Sequence, residues 1–118
     1  MSDPESIRKF EYRPSRTATG FDVDFVSGGV TLHGLCQDVS DAGIRATLDS
    51  PAGVGRSGLL ILRHPTGIFK VEAQIAYIEQ GQVGLVFFFK TPLERAEAIE
   101  FMTSIANYAA TAQVVRFP

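Results

Sequence analysis

Between Phe21 and Phe89 the chain alternates apolar and polar residues with a period of two, interrupted at short intervals by glycine, proline and serine. Period two places successive side chains on opposite faces of an extended strand, so each alternating run predicts a half-buried β-strand. Phe21, Val23 and Phe25 share one face, with Asp22 and Asp24 on the other. Ser27-Gly28-Gly29 then predicts a turn, and Val30, Leu32, Gly34 and Cys36 carry the apolar face of a second strand, completing a hairpin. The alternation lapses over Val39–Gly43 and restarts with Ile44, Ala46 and Leu48. Residues 49–57 are rich in Gly, Pro and Ser and predict a loop. Gly58–Arg63, Ile68–Ile78 and Val83–Phe89 predict three further strands, joined by turns at His64-Pro65-Thr66-Gly67 and at residues 79–82.

At Thr91-Pro92-Leu93-Glu94 the period changes. A hydroxyl at the N-cap, proline at the first helical position and glutamate at the third satisfy the otherwise unpaired N–H groups of a helix start. A helix is therefore predicted from Leu93 to about Ala112, with Leu93, Ala96, Ile99, Met102, Ala106 and Ala109 along one face. Phe101, Ile105 and Tyr108 widen that stripe, and the helix is expected to cap an open end of the sheet. The surplus apolar width is a candidate docking surface or homodimer seam. Closely spaced strands followed by one helix predict an all-β-dominated domain, a six-stranded antiparallel β-barrel with a C-terminal α-helix. Residues 1–7 are expected to be a flexible N-terminus, 8–112 the single domain and 113–118 a C-terminal tail.

Composition narrows the class. With 118 residues, 45% hydrophobic and 20% charged, the chain has material for one core. A net charge of −2 argues against binding a nucleic-acid polymer, which needs a broadly basic face. The lone Cys36 excludes an internal disulfide and favours a reducing compartment. The polar start Met-Ser-Asp-Pro-Glu-Ser has no apolar signal core, and no apolar run reaches the length of a membrane span. These features predict a cytoplasmic protein.

The charge is unevenly placed. Arg8, Lys9, Arg13 and Arg16 supply four of the eleven basic residues within the first sixteen positions. About twenty residues after Arg16 comes Asp38-Val39-Ser40-Asp41-Ala42-Gly43, a carboxylate, a hydroxyl and a glycine on a predicted inter-strand loop, where binding groups are usually displayed. Forked guanidinium donors suit phosphate oxygens and the O6/N7 edge of guanine, and a carboxylate suits the N–H groups on its opposite edge. Glycine admits positive φ and close approach of a ligand to the backbone. Tyr12 is a candidate for stacking on a purine, and Pro14 favours an extended Arg13. The same residues have plainer readings: Asp and Ser often satisfy turn backbones, and a basic cluster is usually a solvated tail. Asp41 is expected to face solvent. His33 and His64 have no partners at metal-ligand spacing, Ser40 has no evident base or oxyanion motif, and there is no phosphate-loop GxxxxGK[ST]. Neither catalysis nor a metal or other cofactor is expected.

Asp38, Ser40 and Gly43 after an arginine-rich N-terminus resemble the fingerprint of the bacterial PilZ domain, RxxxR followed by (D/N)xSxxG. Only the second half is complete. Arg16 and Arg13 form RPSR, and Lys9 to Arg13 reads KFEYR. Gly81-Gln82-Val83-Gly84-Leu85-Val86-Phe87 is similar to the segment leading into that family's last barrel strand. The resemblance implies a β-barrel receptor for cyclic di-GMP. Arg13 and Arg16 would clasp phosphate and a guanine Hoogsteen edge, Asp38 and Ser40 would hydrogen-bond the guanine, and Gly43 would leave room. Arg8, Lys9 and Tyr12 would be additional contacts. It further implies an adaptor that relays the nucleotide signal to a protein of the motility, exopolysaccharide or secretion machinery. The defective first half suggests an alternative, a PilZ-like protein–protein interaction module with weakened or lost nucleotide binding.

Overall fold

The computed structural model describes residues 17–18 and 20–116, with side chains from 20 to 108. The expected flexible N-terminus (1–7) and the candidates Arg8, Lys9, Tyr12, Arg13 and Arg16 lie outside the described residues. Among the described residues seven strands precede one helix: β1 (Thr17–Ala18), β2 (Asp22–Ser27), β3 (Val30–Val39), β4 (Gly43–Leu48), β5 (Ser57–His64), β6 (Gly67–Glu79), β7 (Gln82–Phe88) and α1 (Pro92–Arg116). Neighbours run in the order β3-β2-β5-β6-β7-β4, and β4 pairs back onto β3, closing a six-stranded antiparallel barrel. The two-residue β1 adds to β3 at Val39 and Asp38. It is too short to leave a periodic signal.

Local sequence explains the hairpins. Ser27 pairs with Val30 across Gly28 and Gly29, whose φ values of 59° and 78° suit the two central positions of a tight turn matched to strand twist. The β6–β7 turn repeats this geometry with Gln80 and Gly81 at φ 52° and 81°. Inward residues fill the barrel: Phe25, Leu60, Leu62, Ile75, Leu85 and Ile44 are fully buried. Val30, expected on the core face with Leu32, is exposed beside the Gly-Gly turn.

The helix start follows its sequence closely. The Glu94 N–H donates to Thr91 Oγ1 at 3.2 Å, and the Glu94 carboxylate accepts from the Lys90 N–H at 2.7 Å. The buried face differs from the expected one. Ala98 and Ile105 are buried, with Phe101 and Met102 partly buried against the core, whereas Leu93, Ala96, Ile99 and Ala106 are exposed. Steps of three residues drift around a helix of 3.6 residues per turn, while 98, 101, 102 and 105 keep the i, i+3, i+4, i+7 rule. What selects this stripe is an aromatic cluster at the end of the barrel. Phe101 stacks on Phe69 at 5.3 Å and meets Phe21 edge-on at 6.2 Å.

His64 belongs to that cluster, edge-on to Phe21 at 5.1 Å and to Tyr108 at 5.1 Å. Its Nδ1 accepts the Thr66 N–H at 3.1 Å, which leaves the proton of the neutral ring on Nε2. Burial pushes His64 below the ordinary imidazole range. The unfolded chain therefore takes up this proton first, and stability falls as pH drops below about 6.5. Urea midpoints measured between about pH 7 and pH 5.5 should decline, and His64→Phe should remove that part of the slope.

Candidate functional site

The DVSDAG segment straddles the end of β3 and the start of β4, and only Ser40–Ala42 form the connecting loop. Its geometry begins with a bulge. Cys36 and Val39 are both in the core although three residues apart, so strict alternation cannot hold between them. The β3–β4 register shifts between Cys36 and Asp38, inserting one extra residue and reversing side-chain parity. Asp38 is thereby turned to the outer face. Without the bulge it would share the face of Cys36 and lie in the core.

Asp38 is 6% exposed and its Oδ2 accepts a hydrogen bond from Arg45 Nη2. Arg45 stands opposite Asp38 on β4, outward between the buried Ile44 and Ala46. Its Nε is buried and has no hydrogen-bond partner among the described residues. Sequence reading passed over Arg45, although a charged residue between two core positions of a predicted strand is a usable sign of an outward group beside the motif.

Ser40 is 1% exposed and organises the loop. Its Oγ accepts the Ala42 N–H at 3.1 Å and lies 3.4 Å from the Gly43 carbonyl, to which it donates. The Ser40 N–H donates to the same carbonyl at 2.9 Å, so the hydroxyl holds the turn in the manner its plainer reading anticipated. The Phe87 N–H donates to the Ala42 carbonyl at 2.9 Å, fixing the loop against β7. Gly43 is outside the positive-φ glycines. Its constraint is proximity, since a Cβ there would lie 2.2 Å from the Leu85 carbonyl oxygen on β7. Asp41, expected in solvent, accepts from Arg95 in the first turn of α1 at 3.4 Å, linking the motif loop to the helix.

A second polar cluster lies elsewhere on the outer wall. Asp24, expected to be solvent-facing, is 9% exposed and accepts from Arg63 Nη1 and His33 Nδ1. Burial raises its pKa, but the hydrogen bonds and charges of Arg63 and His33 outweigh that and hold the carboxyl below the usual range. Among the described residues no three His, Cys, Asp or Glu side chains are grouped to hold a metal ion. No helix among them is long and apolar enough to cross a membrane.

Strand order, barrel closure and the terminal helix define a PilZ-type β-barrel. Solved structures that share it include the following three. The PilZ domain of YcgR from Escherichia coli, solved with c-di-GMP, superposes with a TM-score of 0.72 at 17% identity, covering 84% of this chain and 94% of that one. The PilZ domain of CeSA from a cellulose-synthesizing bacterium gives 0.66 at 11% identity, covering 78% and 98%. An uncharacterised Legionella protein gives 0.61 at 11% identity, covering 81% and 98%. No protein-family model and no curated protein matches the sequence.

Proposed function

We propose that this chain is a receptor for cyclic di-GMP that takes the nucleotide at Asp38, Ser40 and Gly43 and passes the signal to a protein partner. The observation that carries this reading is the reversal of parity in β3, which turns a carboxylate outward beside an arginine. A carboxylate and a guanidinium side by side match the N–H edge of guanine and its phosphate. The YcgR domain, which has this fold, was solved with that nucleotide. Arg13 and Arg16 would complete the phosphate clasp, with Arg8, Lys9 and Tyr12 as further contacts. The role is one of binding without catalysis, in a bacterial cytoplasm.

The Asp38–Arg45 pair also supports the alternative. It gives the carboxylate a partner in the absence of nucleotide, as an interaction module would need. Calorimetric titration with cyclic di-GMP separates the two. The receptor reading expects a measurable Kd for the wild type and losses of tenfold to hundredfold for Asp38→Ala and Arg16→Ala, since a charged hydrogen bond contributes about 1.5–3 kcal/mol. No heat at high micromolar ligand would leave the interaction module standing. Equal binding by wild type and both variants would overturn the residue assignment.

A further inference from the structure

Strand register places Asp38 opposite Arg45, Arg45 opposite Gly84, and Gly84 opposite Tyr77. These four positions form one row across β3, β4, β7 and β6, spanning about 14 Å at the usual strand spacing. Three features of the row concern ligand chemistry. Asp38 and Arg45 put a carboxylate and a guanidinium in contact at one end, with Arg45 Nε buried and lacking a partner among the described residues. Gly84 sits between the core residues Val83 and Leu85, so the side chain it lacks would point outward. A Cβ there would lie 2.1 Å from Cε2 and 2.3 Å from Cζ of Tyr77, so the Tyr77 ring lies across the glycine on the outer wall. Tyr77 itself remains 36% exposed.

Resting on the nucleotide reading above, we infer that the binding footprint runs along this row, with Arg45 as a phosphate ligand and Tyr77 as the platform on which a purine stacks. Arg45 is held in the free protein by Asp38. A guanine that takes the carboxylate competes for that contact and frees the Arg45 guanidinium for the phosphate next to the base, where its Nε also finds an acceptor. The phenol ring offers a π-face at the far end of the row, which stacks on any purine and discriminates little between bases. Specificity for guanine then stays with Asp38, and affinity is shared with Arg45 and Tyr77.

The test is calorimetry with cyclic di-GMP on wild type, Asp38→Ala, Arg45→Gln, Tyr77→Leu and Tyr77→Phe, together with the aromatic proton spectrum of Tyr77 identified from its loss in Tyr77→Phe. Tyr77→Leu and Arg45→Gln should each weaken binding about tenfold or more, while Tyr77→Phe stays within about threefold. Saturating ligand should shift the Tyr77 ring protons upfield, which a ring that merely covers Gly84 would not show. Wild-type binding that is weakened by Asp38→Ala but unchanged in Tyr77→Leu and Arg45→Gln overturns the footprint and leaves the receptor reading intact. Unmoved Tyr77 resonances at saturation overturn the stacking role even if Tyr77→Leu binds poorly. Wild-type protein that does not bind overturns both readings.

Discussion

Replacing Gly43 with alanine should destabilise the protein by about 3 kcal/mol, near the upper end of the usual cost of overpacking. The added Cβ would stand 2.2 Å from the Leu85 carbonyl oxygen and 3.2 Å from Val86 Cα, both backbone atoms of β7. A side chain can rotate away from such a clash, but a strand held on both sides cannot. Leu85 pairs with Ile44 on one side and with Ile75 on the other, so relief requires β4 and β7 to separate where the motif loop is anchored. Gly53→Ala is the matched control, because its Cβ would meet nothing within 4 Å and its φ is not in the left-handed region. Urea denaturation should place that variant within about 0.5 kcal/mol of wild type. For Gly43→Ala the thermal midpoint should fall on the order of 10 °C. Binding lost in Gly43→Ala therefore has to be judged on protein shown to be folded, since the residue secures the barrel wall as well as the site.

The second large effect is expected at the centre of the core. Phe25→Ala should cost about 3–5 kcal/mol, the loss of transfer energy plus the cavity that a rigid wall cannot collapse. Phe25 is 0% exposed and is paired across the sheet with Leu32 on β3 and Leu60 on β5. Both neighbours belong to strands fixed by further pairings, which limits inward relaxation. A domain of this size is stabilised by roughly 5–15 kcal/mol in total, so the variant should be partly unfolded at moderate denaturant. Phe88→Ala provides the contrast: the same side chain, 49% exposed on the outer face of β7, should change the urea midpoint only slightly.

These positions also show how far residue pattern carries. Phe25 could be placed in the core from alternation alone, because Phe21, Val23 and Phe25 share one parity while Asp22 and Asp24 take the other. Gly43 could be singled out, but the expectation attached to it was conformational freedom near a ligand, and the constraint found is the approach of β7. A backbone carbonyl more than forty residues away leaves no trace in the local pattern. Asp38 follows the same rule. Counting by twos from Cys36 sends it inward, and the bulge that sends it outward arises because Val39 must fill the core while β4 keeps its register. Arg45 carried a local sign of exposure, but its partner could not be read until β4 was known to pair with β3. The helix seam shows a smaller failure of the same kind. Several apolar stripes were available on α1, and the aromatic end of the barrel selected the one through Ala98, Phe101 and Ile105.

The six barrel strands, their turns, the start of the helix and the DVSDAG segment as the place to look for chemistry are all legible in residue order. They are legible because period, capping and turn preference are set by residues within a few positions of one another. The direction of Asp38, its contact with Arg45, the reach of Asp41 to the helix through Arg95, and the crowding of Gly43 and Gly84 by neighbouring strands emerge only in the folded chain. Each of those depends on the closing of the barrel, which brings β3, β4, β7 and β6 side by side and makes a row of residues distant in the chain.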